Sequence, residues 1–152
     1  KEDIEYWKNY SKNLNLDNVY FNGFVSPKET IKYRNSFDIL LAPYGKKVSI
    51  FGSSLGNTSK FLGDTSKFMS PLKIFEYMSH NKPIVVSDLS VLREILNEKN
   101  SILVKSDDVQ AWISSINNLK DPETRKLIAH QALLDFKNYS WKNRALLVLK
   151  NQ

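Results

Sequence analysis

Ser70-Pro71-Leu72-Lys73-Ile74-Phe75-Glu76-Tyr77-Met78 leads through four polar residues into Pro83-Ile84-Val85-Val86-Ser87-Asp88. The first stretch reads as a helix: Ser70 suits an N-cap and Pro71 the first helical position. Asn81 stands where a helix commonly ends on a left-handed residue, and Pro83 blocks continuation. The second stretch is apolar without alternation, the pattern of a strand covered on both faces. Lys73, Glu76 and His80 lie at i, i+3 and i+7, forming one polar stripe. Leu72, Phe75 and Met78 are expected on the opposite, packed side, with Ile74 at its border. A helix start gathers unpaired N–H groups and partial positive charge, so it suits an anion, and Lys73 adds a full charge. Glu76, one turn on, offers acceptor oxygens to a sugar hydroxyl attached to that anion. The plainer reading of Lys73 and Glu76 is a solvated pair worth ~0.3 kcal/mol.

Outward from this unit, helices and short apolar strands alternate. Residues 3–13 read as an amphipathic helix with Ile4, Trp7, Tyr10 and Leu14 near helical spacing. Asn18-Val19-Tyr20-Phe21 reads as a short strand, followed by Gly23-Phe24-Val25. Ser26-Pro27 starts a helix with Glu29 in its first turn. Asp38-Ile39-Leu40-Leu41-Ala42 is a strand stopped by Pro43, expected to be buried on both faces. After residues 83–87 come a short helix at Val91–Leu96 and a third strand at Ser101–Val104. Asp107 or Asp108 caps a helix through Leu119, Asp121-Pro122-Glu123 opens one reaching Phe136, and a last helix starts at Ser140-Trp141. Strands separated by helices imply βαβ units and a mainly parallel sheet.

The 152 residues suit one domain or part of one. With no cysteine there are no disulfides or thiolate metal sites. His80 and His130 lack metal-motif spacing. No apolar run approaches the ~20 residues of a membrane span, and the charged start is no signal peptide. The net charge is +6, and residues 45–82 hold +4 of it. Such a field suits an anionic small molecule, an anionic membrane surface or nucleic acid.

Residues 45–69 are rich in Gly, Ser, Thr and Lys and repeat Thr-Ser-Lys-Phe at 58–61 and 65–68. They read as a flexible insertion, with a lid as the sharper alternative. Gly52 to Gly56 lacks the Gly-Lys-Ser/Thr ending of a phosphate loop. Gly23-Phe24-Val25 follows a strand, where a base could lie against Phe24; a tight turn with a core phenylalanine is the alternative. Pro43 and Tyr44 are candidates for lining the same crevice, though Tyr44 has a core-covering alternative. Asp38, Asp88, Arg93 and Glu94 stand at element ends, where capping or ion pairing explains them. Trp112 and Trp141 read as packing residues, and His80 as a surface or helix-end residue.

Five segments together carry a family resemblance: residues 18–25, 37–44, 70–78, 82–96 and Tyr139-Ser140-Trp141. Their order resembles the C-terminal, donor-binding half of the group 1 retaining glycosyltransferases, of the E-x7-E type and GT-B fold. The resemblance implies an α/β fold: a Rossmann-like parallel sheet flanked by helices. It also implies a partial domain over 1–152, N-terminally truncated and lacking the first two strands. In the usual order 3-2-1-4-5-6 those strands separate the strand at 18–22 from that at 38–42. By resemblance Ser70, Pro71, Leu72 and Lys73 hold the donor diphosphate, Glu76 binds ribose, and Gly23, Phe24 and Val25 lie beside the base. Lys73 and Glu76 are the candidate catalytic residues, Glu76 orienting the donor and not acting as nucleophile. The earlier glutamate of the pair falls at Phe68, and Asp64 is at the wrong spacing; members with a Ser-Pro-Leu-Lys start commonly lack that acid.

The implied activity is metal-independent transfer of a hexose from a nucleotide diphosphate sugar, such as a UDP- or GDP-sugar, with retention. No metal or other cofactor is expected. The implied setting is bacterial surface polysaccharide or glycolipid synthesis. The partners are the donor and, through a missing N-terminal domain, an acceptor glycan or lipid-linked sugar. A cytoplasmic location with peripheral contact at the inner face of the membrane is expected, without nucleic-acid binding. The fragment alone is expected to transfer nothing. A non-catalytic nucleotide-binding module or a GT-B type nucleotide-sugar epimerase is the alternative.

Overall fold

The computed structural model describes residues 2–45 and 72–150. Expectations for Ser70, Pro71, Asp64, Phe68, the repeated Thr-Ser-Lys-Phe and the lid (but for Gly45) lie outside the described residues. The chain begins with α1 (Glu2–Asn13) and α2 (Pro27–Ser36). Strand β1 (Leu40–Ala42) follows, then α3 (Leu72–Met78) and β2 (Ile84–Ser87). A 3-10 turn at Leu92–Glu94 leads to β3 (Ile102–Val104). Helices α4 (Val109–Asn118), α5 (Pro122–Phe136) and α6 (Trp141–Lys150) close the order, with a 3-10 turn at Lys137–Tyr139.

The helix starts are those that side-chain chemistry dictates. Ser26 and Glu29 form a reciprocal capping box with Pro27 in the first turn of α2. Asp108 accepts from Ala111 N at 2.9 Å, and Asp121 from Thr124 N at 2.8 Å. Each satisfies an amide that the helix itself leaves unpaired. Asn81 adopts φ 52, the left-handed conformation expected after α3.

The three strands pair in parallel in the order β1-β2-β3, with Leu41 opposite Val85 and Val86 opposite Leu103. Side chains alternate between the faces. Ala42, Ile84 and Val86 pack with Ile74 and Met78 of α3, Ala132 of α5, and Leu92 and Leu96. On the other face Val85 and Val104 meet Leu119 and Ile128, with Trp112 alongside. Every residue of β2 is buried. Burying a side chain such as Ile84 contributes about 1.5–3 kcal/mol, so this strand and its helices hold the fold together.

Four expectations need correcting. Residues 18–21 form no strand; Tyr20 is 79% exposed, and no described strand lies beside it to complete a ladder. Leu41 is exposed, so β1 is not covered on both faces: α4 packs on β2 and β3 and leaves the Leu41 side open. On α3 the buried pair is Ile74 and Met78, one turn apart, while Leu72 points outward. Trp141 is exposed rather than packed, whereas Trp112 packs as expected and donates from Nε1 to Lys105 O. The closing motif contributes through Tyr139, whose ring lies 5.2 Å from that of Phe75.

Candidate active site

The carboxyl ends of parallel strands gather at one edge of the sheet, the usual place for ligands in such folds. Here those ends are Ala42, Ser87 and Val104. The chain leaves β1 there through Pro43 and Tyr44. Fully buried Ser87 clamps that exit: its Oγ accepts from Tyr44 N at 2.8 Å and donates to Tyr44 O at 2.7 Å. The loop beyond β2 is held as well, with Arg93 donating from Nε and Nη2 to the two oxygens of Asp88 and from Nη1 to Glu98. The Arg93 hydrogen bond holds the Asp88 carboxyl below the usual carboxylate range. Ion pairing therefore accounts for Asp88 and Arg93.

Because α3 feeds β2 from above, it runs antiparallel to the strands and begins at the same edge. Lys73, in its first turn, reaches toward Tyr44, with Nζ 6.0 Å from the ring centroid. Burial, and secondarily Tyr77, raise the Tyr44 pKa above its ordinary value, so its phenol stays neutral at physiological pH. The Tyr77 pKa is likewise raised, chiefly by burial, and its hydroxyl donates to Leu41 O at 3.4 Å.

Glu76 does not pair with Lys73. Its Oε2 meets Nη2 of Arg34, in the last turn of α2, at 2.5 Å. The Arg34 side chain is 16% exposed and that of Glu76 is 53% exposed, so the cation is seated and the carboxylate faces outward. The guanidinium carbon also lies 5.8 Å from the Tyr77 ring centroid, within cation–π range. His80 caps the end of α3, its Nδ1 2.6 Å from Glu76 O. That supports the helix-end reading of His80.

Two open clefts meet at Arg34. One, of about 450 Å³, is lined by Phe24, Val25, Ile31, Arg34, Glu76 and His80. The other, of about 480 Å³, is lined mainly by apolar groups from α2 and β1 together with Arg34, Lys73 and Tyr77. The structure thus brings Phe24, Val25 and Glu76 to one cleft, although about fifty residues separate them in sequence. Lys73 stands in the neighbouring cleft. Gly23 takes φ 65, which a side chain would strain, and this sets the turn that presents Phe24. Phe24 is 96% exposed, so the core alternative for it is corrected. Tyr44 is half-buried against the core, and Pro43 is exposed beside it. Asp38 lies at the opposite, amino end of the sheet, in a cleft with Lys82, Arg125 and His130. Among the described residues, no group of three or more His, Asp or Glu side chains is arranged to hold a metal ion.

Arg34 is the residue that sequence reasoning missed. Nothing local marks it, since its partner lies 42 residues away. Only the tertiary placement of α2 beside α3 brings the two together.

A parallel three-stranded sheet flanked by helices, with ligand-sized clefts between α2 and α3 along the β1 side, defines a Rossmann-like α/β fold. A family model described as glycosyl transferases group 1 matches residues 1–121, and the chain belongs to that family. Among solved structures it is similar to sucrose-phosphate synthase from Thermosynechococcus elongatus, with a TM-score of 0.71 and 18% identity. The match covers 98% of this chain and 33% of that one, so the chain spans about a third of its length. At that identity the likeness establishes the fold alone, an α/β fold of GT-B type. No curated protein matches the chain. No helix among the described residues is long and apolar enough to cross a membrane.

Proposed function

We propose that this chain forms the donor-binding half of a retaining glycosyltransferase. The observation that carries this reading is the meeting of Phe24, Val25 and Glu76 in one cleft, with Lys73 one turn away toward the strand ends. A nucleoside needs an apolar face for its base and an acceptor for its ribose hydroxyls; exposed Phe24 and outward-facing Glu76 offer these. Its diphosphate needs positive charge, which Lys73 supplies in the first turn of α3; by the family resemblance Ser70, Pro71 and Leu72 are its further contacts. When the glycosidic bond to the diphosphate breaks, negative charge grows on the departing phosphate oxygens. Lys73 stabilises that charge in place, an effect present before the reaction begins. Glu76 orients the donor and forms no bond to the sugar. The acceptor hydroxyl, by family resemblance that of a surface glycan or glycolipid, enters from the far side of the cleft.

Calorimetric titration of the complete protein with UDP, GDP and ADP tests this reading. One nucleotide should bind, and both Lys73→Ala and Glu76→Ala should weaken it about tenfold or more, since each removes a charged hydrogen-bonding group. Binding of none of the three, or binding unchanged in both variants, refutes it. Product NMR showing inversion at the anomeric carbon would remove the retaining assignment while leaving the site intact.

A further inference from the structure

We infer that Arg34 is a positioning residue that sets the Glu76 carboxylate for ribose and so makes the site select ribonucleotides over deoxyribonucleotides. The inference rests on the donor-site reading above and extends it to a residue outside the expected motif.

Four observations converge on Arg34. It is the side chain, together with Thr30, that lines both clefts, so it forms the wall between the Glu76 cleft and the Lys73 cleft. Its guanidinium is seated against the Tyr77 ring and little exposed, whereas the carboxylate it holds is about half exposed. The bond engages Oε2 of Glu76, and among the described residues Oε1 has no donor. Finally, α2 is a formed helix at both ends, begun by the Ser26–Glu29 capping box and closed by the Phe37 N–H donating to Tyr33 O, and Arg34 stands in its last turn.

A glutamate on an exposed helix face samples several rotamers, and fixing them on binding opposes affinity. A carboxylate already tied at one oxygen has lost that freedom, and its other oxygen is left for a ligand in the cleft that Glu76 lines. This is preorganisation: the ordering is done by the fold instead of by the ligand. A planar guanidinium does this better than an ammonium, because it can lie over the Tyr77 ring while one of its edge N–H groups donates to Oε2. Lys73 is excluded as the alternative partner, since it turns toward Tyr44. Ser79 Oγ and His80 Nδ1 both bond the Glu76 carbonyl oxygen and leave its carboxylate to Arg34.

The test is the binding of UDP, GDP and ADP, each beside its 2′-deoxy and 3′-deoxy counterparts, to the complete protein. The unaltered protein should prefer the ribonucleotide about tenfold or more over at least one deoxy form, the worth of a charged hydrogen bond. Arg34→Met should reduce that preference to about threefold or less, with affinity for the deoxy form nearly unchanged. Arg34→Lys should restore part of it, and Arg34→Met in a Glu76→Gln background should cause little further loss. A merely structural role would weaken ribo- and deoxy forms alike. Full preference retained in folded Arg34→Met or Arg34→Lys overturns the inference and leaves the donor site standing. Failure of the unaltered protein to bind any nucleotide overturns the donor-site reading, and this inference with it.

Discussion

Two regions of this chain are rich in apolar side chains and treat them in opposite ways. Residues 4–38 contain no buried side chain, although α1 sets Ile4, Trp7, Tyr10 and Leu14 near helical spacing. Ile84–Ser87 is buried throughout, and the helices around it bury Ile74, Met78, Leu119, Ile128 and Ala132. In α1 the aromatic rings pack on one another, Tyr6 on Trp7 at 5.1 Å and Trp7 on Tyr10 at 5.7 Å. Periodicity therefore reports a face able to be buried. Burial itself needs a second surface, which β2 has on both sides and which no other described element supplies to α1. Stability should accordingly be concentrated in residues 72–136.

The sharpest way to break this contrast is Met78→Ala. Met78 is fully buried between β2 and the helices, and its truncation should cost about 3 kcal/mol, read as a lowered urea midpoint. A loss no larger than that of Trp7→Ala would abolish the distinction. Next comes Ser87→Ala, which leaves the amide and carbonyl of Tyr44 without their side-chain partner. It should cost about 1–2 kcal/mol and loosen the β1 exit, visible as faster amide exchange at Tyr44.

A smaller effect is expected from Asp88→Asn, and it should depend on pH. The folded-state pKa of Asp88 lies below its unfolded value. Its ion pair therefore contributes fully above about pH 4 and is lost as pH falls through the folded pKa. The variant should melt lower than the unaltered protein at pH 7, and the gap should close in acid. A gap that widened toward low pH would contradict the pairing. Smallest of all is Trp7→Ala, expected within about 0.5 kcal/mol because half of that side chain already faces solvent. A cost of several kcal/mol would show that α1 is part of the core.

The readings that held were local in origin. The caps at Ser26, Asp108 and Asp121 depend on bonds spanning three residues, and the left-handed Asn81 depends on its own backbone. The unbroken apolar run in β2 made its double-sided burial legible, while the same pattern in β1 overstated it, since Leu41 stays exposed. The readings that failed concerned what lies opposite. Tyr20 looked like strand because its neighbours are β-formers, yet a strand exists only beside another. Leu72 and Ile74 exchanged roles on α3 because the sequence does not say which arc of a short helix meets the sheet.

The sequence by itself determined the α/β class, the parallel alternation of helices and strands, the helix starts, and the positions of Lys73 and Glu76 on α3. These follow from hydrogen bonds and side-chain periodicities that act over a few residues. The tertiary structure alone decided that Phe24 would be exposed beside Glu76, that Lys73 would turn to Tyr44, and that Arg34 would take the carboxylate. Each of those depends on where α2, α3 and the exit of β1 come to lie beside one another. A contact 42 residues apart in the chain leaves no spacing for a sequence to display.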